Sequence, residues 1–101
     1  MALTAIHPGE HLAEELKALN MSAAELACKM NVPTSRVTQI LNGTRVITGN
    51  TALRLAHFLG TSAEFWLNLQ SLYELRLAQK KAGKSIQALP RLQRPNVYTL
   101  V

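Results

Sequence analysis

Two short helix-forming segments of this chain are joined by only three residues, Asn31-Val32-Pro33. The first segment opens with Ser22-Ala23-Ala24-Glu25, the pattern of a capping box, and Asn31 suits the left-handed residue that ends a helix. A connection this short forces two brief helices to cross steeply, as in a helix-turn-helix. The spacing therefore predicts a helix-turn-helix over about residues 22–42, although a helical hairpin without a DNA-binding role could share it.

Similar signals mark three further helices. His7-Pro8-Gly9-Glu10 combines a cap, a proline at the first helical position and an early acid. Thr48 is the expected cap of the fourth helix. Thr61-Ser62-Ala63-Glu64 has the pattern of a second capping box. It opens the longest helix, which is predicted over residues 62–81 and ends before Gly83.

The expected architecture is all-α, with five helices over residues 1–83 and a C-terminal tail over residues 84–101. Pro90 and Pro95 oppose a continuous helix in the tail. Its last residues, Val97-Tyr98-Thr99-Leu100-Val101, have strand-forming character. Two interpretations stay open: the tail adds a strand to a partner's sheet, or it packs on its own dimer or stays loosely ordered.

Composition narrows the class of protein. At 101 residues the chain is the size of one small domain, and 48% of its residues are hydrophobic, which is enough for one core. No apolar run approaches the roughly 18 residues of a membrane span, and residues 1–6 lack the basic region and the long apolar region expected of a signal peptide. The single Cys28 cannot form an internal disulfide. We therefore expect a cytoplasmic helical domain without membrane association.

Charge alternates in blocks along the chain, whose net charge is +5. Residues 1–25 hold four glutamates and one lysine, whereas residues 26–63 hold four basic residues and no acid. Residues 64–74 hold two glutamates, and residues 75–101 hold six basic residues and no acid. The alternation fits a protein that meets a polyanion with one face. It also fits a basic protein without such a partner.

The outward face of the predicted third helix is polar and free of acids. Glutamine can pair bidentately with adenine and arginine with guanine, and a threonine methyl group can contact thymine. A generic solvated helix would more often carry Glu and Lys. The residues predicted to contact bases are Thr34, Ser35, Arg36, Thr38 and Gln39. Those predicted to contact phosphates, by side chains or by free backbone N–H groups, are Ser22, Ala23, Asn42, Thr44 and Arg45.

The fifth helix is apolar around much of its circumference. Apolar residues spaced three and four positions apart on such a helix usually belong to the hydrophobic core. A domain of this size cannot cover a helix on every side, so one face should also meet a second copy of the chain. On this interpretation the predicted dimer contacts are Trp66, Leu69 and Tyr73.

No group of side chains in the sequence supports catalysis or a cofactor. His7 and His11 lie four positions apart, as metal ligands on a helix can, but His57 and Cys28 are the only other histidine and cysteine. The chain contains no Asp, so a nucleophilic triad cannot be assembled. We expect no enzymatic activity, no metal and no cofactor, and we interpret His7 as a helix cap.

Several motifs stand together over residues 7–80. They are His7-Pro8-Gly9-Glu10-His11-Leu12, Val32-Pro33-Thr34-Ser35-Arg36-Val37, Ile40-Leu41-Asn42-Gly43, Ile47-Thr48, Thr51-Ala52-Leu53-Arg54-Leu55-Ala56, Gly60-Thr61-Ser62 and Phe65-Trp66-Leu67-Asn68-Leu69-Gln70 with Tyr73. Together they resemble the HigA family of antitoxins, also known as virulence-associated protein I, within the Xre/Cro-like helix-turn-helix group.

The resemblance implies a lambda-repressor-like fold and a homodimer that represses its own operon. It also implies neutralisation of a HigB-like toxin that cleaves mRNA. The base-reading positions of the wider group fall on Thr34, Ser35 and Gln39. Ala23 departs from the pattern, because many members of the wider group have Gln there.

Three functions remain open from the sequence. The first is a dimeric antitoxin that binds an inverted repeat in double-stranded operator DNA, where the two halves of a symmetric site match the two-fold symmetry of the protein. The second is a stand-alone Xre-type transcriptional regulator without a toxin. The third is a protein-binding helical module whose basic charge is incidental. The first two share every predicted DNA contact and differ only in a protein partner.

Overall fold

A computed structural model describes residues 4–93 of the chain. Within that range it contains five α-helices and no strand, so the all-α, five-helix prediction is confirmed. The helices are α1 (Pro8–Leu19), α2 (Ala23–Met30), α3 (Thr34–Leu41), α4 (Gly49–Leu59) and α5 (Ala63–Gln87).

Local capping explains where the first helices begin and end. The Nδ1 atom of His7 accepts a hydrogen bond from the Gly9 N–H at 2.9 Å, which confirms His7 as the cap of α1. Ser22 and Glu25 form a reciprocal capping box at the start of α2. Asn31 ends α2 with φ +56°, in the left-handed region where asparagine is tolerated.

The start of α5 differs from the predicted capping box. Ser62 is the cap, and its side chain accepts a hydrogen bond from the Phe65 N–H at 3.0 Å. Glu64 is then the second helical residue rather than the third, so it cannot complete a capping box. Thr61 instead accepts a hydrogen bond from Nε1 of Trp66 at 2.8 Å, which satisfies the indole of a buried side chain.

The end of α5 also differs from the prediction. The helix continues past residue 81 and past Gly83 to Gln87, so the first residues assigned to the tail are helical. A glycine inside a helix costs only about 1 kcal/mol relative to alanine, and the neighbouring Ala, Lys and Gln residues favour helix. Pro90 stops the helix more effectively, because the residue before a proline disfavours the α conformation. The predicted strand over residues 97–101 lies outside the described residues.

The core lies between α1–α4 and the first two turns of α5. It consists of the buried apolar residues Leu12, Leu16, Leu26, Ala27, Met30, Val37, Ile40, Ile47, Ala52, Leu55 and Trp66. Beyond Gln70, no residue of α5 is fully buried. A 25-residue helix is about 37 Å long, so much of α5 extends past the body formed by the other four helices.

A close contact between α1 and α3 fixes the position of the third helix. Gly9 lies directly against the carbonyl group of Ile40, and a Cβ atom at this position would overlap the carbonyl oxygen. The absence of a side chain therefore lets the start of α1 touch the last turn of α3. This contact explains why a glycine follows Pro8 in the first helix.

Candidate nucleic-acid interface

The helices α2 and α3 pack directly on each other through small and branched side chains. Ala27 on α2 and Val37 on α3 are both buried in the shared core. The connection turns tightly, because the N–H of Val32 donates to the carbonyl oxygen of Ala27 at 3.0 Å. The segment predicted as a helix-turn-helix thus contains two helices of eight residues each, joined by a turn.

The face of α3 opposite the core carries the polar residues. Val37 and Ile40 are buried, whereas Thr34 and Ser35 are exposed. Thr38 and Gln39 are half-buried at the sides of this face. The hydroxyl of Thr38 donates to the carbonyl oxygen of Ser35 at 3.1 Å, so its proton is used within the helix while its methyl group and lone pairs remain available.

Arg36 lies closer to the core than its predicted position on the outward face of α3 implies. At 100° per residue it is only about 40° around the helix from Ile40, and it is half-buried. Its side chain therefore leaves α3 at the edge of the polar face. Among the predicted base-contacting residues, Arg36 is therefore the one that depends on a long side chain to extend to a base.

The loop that follows α3 folds back onto Gln39. Both the N–H and the hydroxyl of Thr44 donate to the carbonyl oxygen of Gln39, at 2.9 Å and 3.2 Å. Nε of Arg45 donates to Oε1 of Gln39 at 2.7 Å. Gly43, with φ +77°, reverses the chain between them. Gln39, a predicted base contact, is therefore hydrogen-bonded to two predicted phosphate contacts.

The start of α2 offers backbone N–H groups beside an ionised carboxylate. The capping box uses the N–H groups of Ser22 and Glu25, and those of Ala23 and Ala24 remain at the end of the helix. Hydrogen bonds from the Ser22 backbone and hydroxyl lower the pKa of Glu25. The helix end favours an anion, whereas the Glu25 carboxylate opposes one.

Not every basic residue of the acid-free block is available to a ligand. Nη1 of Arg54 donates to the carbonyl oxygen of Met30 at 2.7 Å, and Nε donates to Oδ1 of Asn50 at 2.8 Å. Arg54 therefore joins α4 to the last turn of α2 and has a structural role. The other cations of this block are exposed or half-exposed, and they are Lys29, Arg36 and Arg45.

Two contacts made by buried polar side chains behind this surface were not predicted from the sequence. Oε1 of Gln70 accepts a hydrogen bond from the N–H of Ile47, at the end of the α3–α4 loop. The ring of His7 packs edge-on against Tyr73 at 4.9 Å and lies near Gly43. Burial lowers the pKa of His7, while a hydrogen bond to the Arg45 backbone and the charge of Glu10 act in the opposite direction.

The prediction that Trp66 contributes to the dimer interface needs correction, whereas Leu69 and Tyr73 are half-buried and stay predicted contacts. Trp66 is fully buried in its own core and has no surface to offer a partner. Leu69 packs against the same core, and Tyr73 faces His7. The long apolar side chains that α5 does expose in its first half are Phe65, Leu67, Leu72 and Leu75.

Within residues 4–93, no group of three or more His, Cys, Asp or Glu side chains is arranged to hold a metal ion. His7 uses its Nδ1 atom as a helix cap, and Cys28 is an exposed free thiol. None of the helices in this part of the chain is long and apolar enough to cross a membrane.

The crossed pair α2–α3, with an acid-free polar face on α3, defines a helix-turn-helix domain of the kind that reads DNA. Residues 12–66 match the helix-turn-helix family model. Virulence-associated protein I of Dichelobacter nodosus is 46% identical over 79 residues, which cover 77% of this chain and 73% of that protein.

Two solved structures are similar over nearly the whole chain. An addiction module antidote protein of the HigA family from Coxiella burnetii is 55% identical, with a TM-score of 0.87, and the match covers 90% of this chain and 100% of that one. Pseudomonas aeruginosa antitoxin HigA, solved with the higBA promoter, is 39% identical with a TM-score of 0.85 and coverage of 89% and 100%. The chain therefore belongs to the HigA family of helix-turn-helix antitoxins.

Proposed function

We propose that this chain is an antitoxin that binds operator DNA as a homodimer, represses its own operon and neutralises a HigB-like toxin. The observation that carries the proposal is the polar, acid-free face of α3, with Gln39 held by the loop that follows the helix. The similarity to an antitoxin solved with promoter DNA supports it.

In this proposal the two sets of polar residues have different tasks. The residues on α3 read base edges in the major groove, where each base pair presents its own pattern of donors and acceptors. These residues are Thr34, Ser35, Arg36, Thr38 and Gln39. The residues at the start of α2 and after α3 contact phosphates and fix the register of the protein on DNA. These residues are Ser22, Ala23, Asn42, Thr44 and Arg45.

The proposed dimer forms through the exposed leucines of α5, with Leu67, Leu72 and Leu75 at its centre. A dimer would place two recognition helices about 34 Å apart, one turn of DNA, so that they read an inverted repeat. A single module makes too few base contacts to discriminate among the many competing sites in a genome.

We propose that the protein acts by binding rather than by catalysis, and that it works in the cytoplasm, where a bacterial operator is found. A stand-alone regulator would use the same DNA surface. The two functions differ in whether the chain holds a toxin, so they are separated by a binding experiment rather than by any residue of α3.

Electrophoretic mobility shift with the promoter DNA of its own gene tests the DNA-binding part. Wild type is expected to prefer the promoter over random DNA, and Gln39→Ala should reduce that preference about ten-fold or more. Lys80→Ala, which removes one exposed positive charge from α5, is the matched control and should keep the preference. Equal binding of wild type to both DNAs would contradict the proposal.

Co-expression with the product of the adjacent reading frame tests the antitoxin part. The two proteins are expected to co-purify, and the chain should rescue growth that the adjacent product inhibits. An adjacent product that neither inhibits growth nor binds the chain would favour the stand-alone regulator.

A further inference from the structure

We infer that Arg45 determines base specificity by fixing the orientation of the Gln39 side-chain amide, in addition to its proposed phosphate contact. The inference rests on the proposed DNA-binding function. It starts from the hydrogen bond between Nε of Arg45 and Oε1 of Gln39, which is 2.7 Å long and joins residues six positions apart.

The chemistry of the two side chains allows only one arrangement. A guanidinium group has five N–H donors and no acceptor, whereas the glutamine amide has an oxygen acceptor at one position and an NH2 donor at the other. Arg45 can therefore bond only to the oxygen of Gln39. The NH2 group is then directed away from Arg45. Without Arg45, the amide could rotate by 180° and present either group to a base.

The loop holds Arg45 in place on both sides. On one side, Thr44 is anchored by two hydrogen bonds to the carbonyl oxygen of Gln39. On the other side, Ile47 is buried and its N–H is bonded to Oε1 of Gln70. The backbone that carries Arg45 is thus fixed by contacts that do not depend on Arg45 itself. Its contact with Gln39 is therefore part of a structured turn.

The arrangement couples a phosphate contact to base reading. The bond to Gln39 uses only Nε, and the four N–H groups on Nη1 and Nη2 remain for a phosphate. The NH2 group of Gln39 can donate to N7 of a purine, while the second lone pair of Oε1 can accept from N6 of adenine. A flipped amide would offer the opposite pattern at the same place. Arg45 thus determines which base edge can form hydrogen bonds with the amide of Gln39.

The test measures binding to a panel of promoter DNAs in which each base pair of a half-site is changed in turn. Gln39→Ala identifies the base pair that Gln39 reads, as the position where discrimination is lost. Arg45→Ala is expected to reduce discrimination at that same position from about ten-fold to less than about two-fold. In the Gln39→Ala background, Arg45→Ala should change discrimination no further but should still lower the salt dependence of binding.

Two controls make the result decisive. Lys80→Ala removes a positive charge elsewhere and should leave discrimination at every position unchanged. Thermal unfolding of Arg45→Ala should match wild type, because the bond lies on the surface.

Two outcomes would overturn the inference. In the first, Arg45→Ala weakens binding to every DNA by the same factor and keeps the discrimination at the Gln39 position. In the second, Gln39→Ala loses discrimination at no position. Both leave promoter binding by wild type intact, whereas wild type that fails to prefer its promoter would refute the proposed function itself.

Discussion

The backbone N–H of Ile47 donates a hydrogen bond of 2.9 Å to Oε1 of Gln70, across 23 positions of the sequence. Gln70 is only 5% exposed, and its NH2 group donates to Glu74, which leaves the oxygen free to face Ile47. The bond joins the end of the loop that carries Arg45 to α5. The proposed DNA surface and the proposed dimer helix are therefore connected by one buried side chain.

Replacement of Gln70 should weaken the fold through this bond. Gln70→Leu keeps a similar volume but leaves the Ile47 N–H buried without an acceptor, which typically costs about 1–3 kcal/mol. Denaturant unfolding should therefore show a lower free energy of unfolding. Gln79→Leu, at an exposed position of the same helix, should change it by less than about 0.5 kcal/mol. Equal effects of the two substitutions would show that the bond contributes nothing specific.

A methyl group at Gly9 should be destabilising because α1 and α3 touch there. The new Cβ of Gly9→Ala would overlap the Ile40 carbonyl oxygen, and backbone cannot yield as a flexible side chain can. Strain of this kind costs about 1–3 kcal/mol. Promoter affinity should also fall, because the end of α3 must shift.

Gly83→Ala is the control for this prediction. Gly83 lies inside α5 with no neighbouring atom within 4 Å of a Cβ. The same chemical change there should raise helix stability by up to about 1 kcal/mol. A stability loss at Gly83, or none at Gly9, measured by thermal unfolding, would contradict the contact between α1 and α3.

The sequence predicted most of the features that depend on neighbouring residues, although the capping box over residues 61–64 does not form at the start of α5. The caps at His7, Ser22 and Thr48 are local patterns, so they could be read in advance and are present in the structure. The prediction that α5 ends before Gly83 was wrong, because the free-energy cost of one glycine in a helix is small compared with the helix preference of its neighbours.

Contacts between distant residues could not be predicted in this way. Nothing in the local sequence shows that Gly9 meets Ile40 or that Gln70 bonds to Ile47. The periodicity of α5 predicts Trp66 at a dimer surface because it does not reveal which apolar face the other helices cover. The bond between Arg45 and Gln39 also depends on how the loop turns, which only the structure shows.

The exposed face of α5 should hold the dimer together. Leu75 is 58% exposed, and Leu75→Glu would place a charge in the proposed interface. Sedimentation should show wild type at twice the chain mass of 11.1 kDa and the variant at the monomer mass. Leu53→Glu, at an exposed leucine on α4, should remain dimeric. If Leu53→Glu dissociates while Leu75→Glu stays dimeric, the interface lies on α4.

Removal of the carboxylate at the start of α2 should strengthen DNA binding. Glu25→Gln keeps the acceptor that the capping box needs, but it removes a charge that the proposal places near a phosphate. Promoter affinity should rise roughly two- to five-fold at low salt and less at high salt. Glu64→Gln makes the same change of net charge at the start of α5 and should have little effect. An equal rise in both variants would mean that only the net charge of the protein matters.

Stability should decrease in mildly acidic solution because of His7. Its Nδ1 atom accepts the Gly9 N–H bond, so protonation there would break the cap of α1. It would also place a cation at the start of the helix, where the helix dipole disfavours positive charge. Burial lowers the pKa of His7 below its usual value of 6.5. The unfolded chain therefore binds the proton more readily than the folded one, and stability decreases as protons are added.

The stability contribution of neutral His7 should be fully present above about pH 6.5 and should be lost as the pH falls from there toward the lower pKa of the folded state. The midpoint of thermal unfolding, measured from pH 7.5 down to about pH 5, should decrease over this interval.

His7→Asn retains an oxygen that can accept the Gly9 N–H bond but does not titrate. It should be less stable than wild type at pH 7.5, because the contact with Tyr73 is reduced, yet its midpoint should depend less on pH. The variant keeps the other two histidines, so the difference between the two curves isolates His7. Parallel curves for wild type and His7→Asn would show that the cap of α1 does not respond to pH.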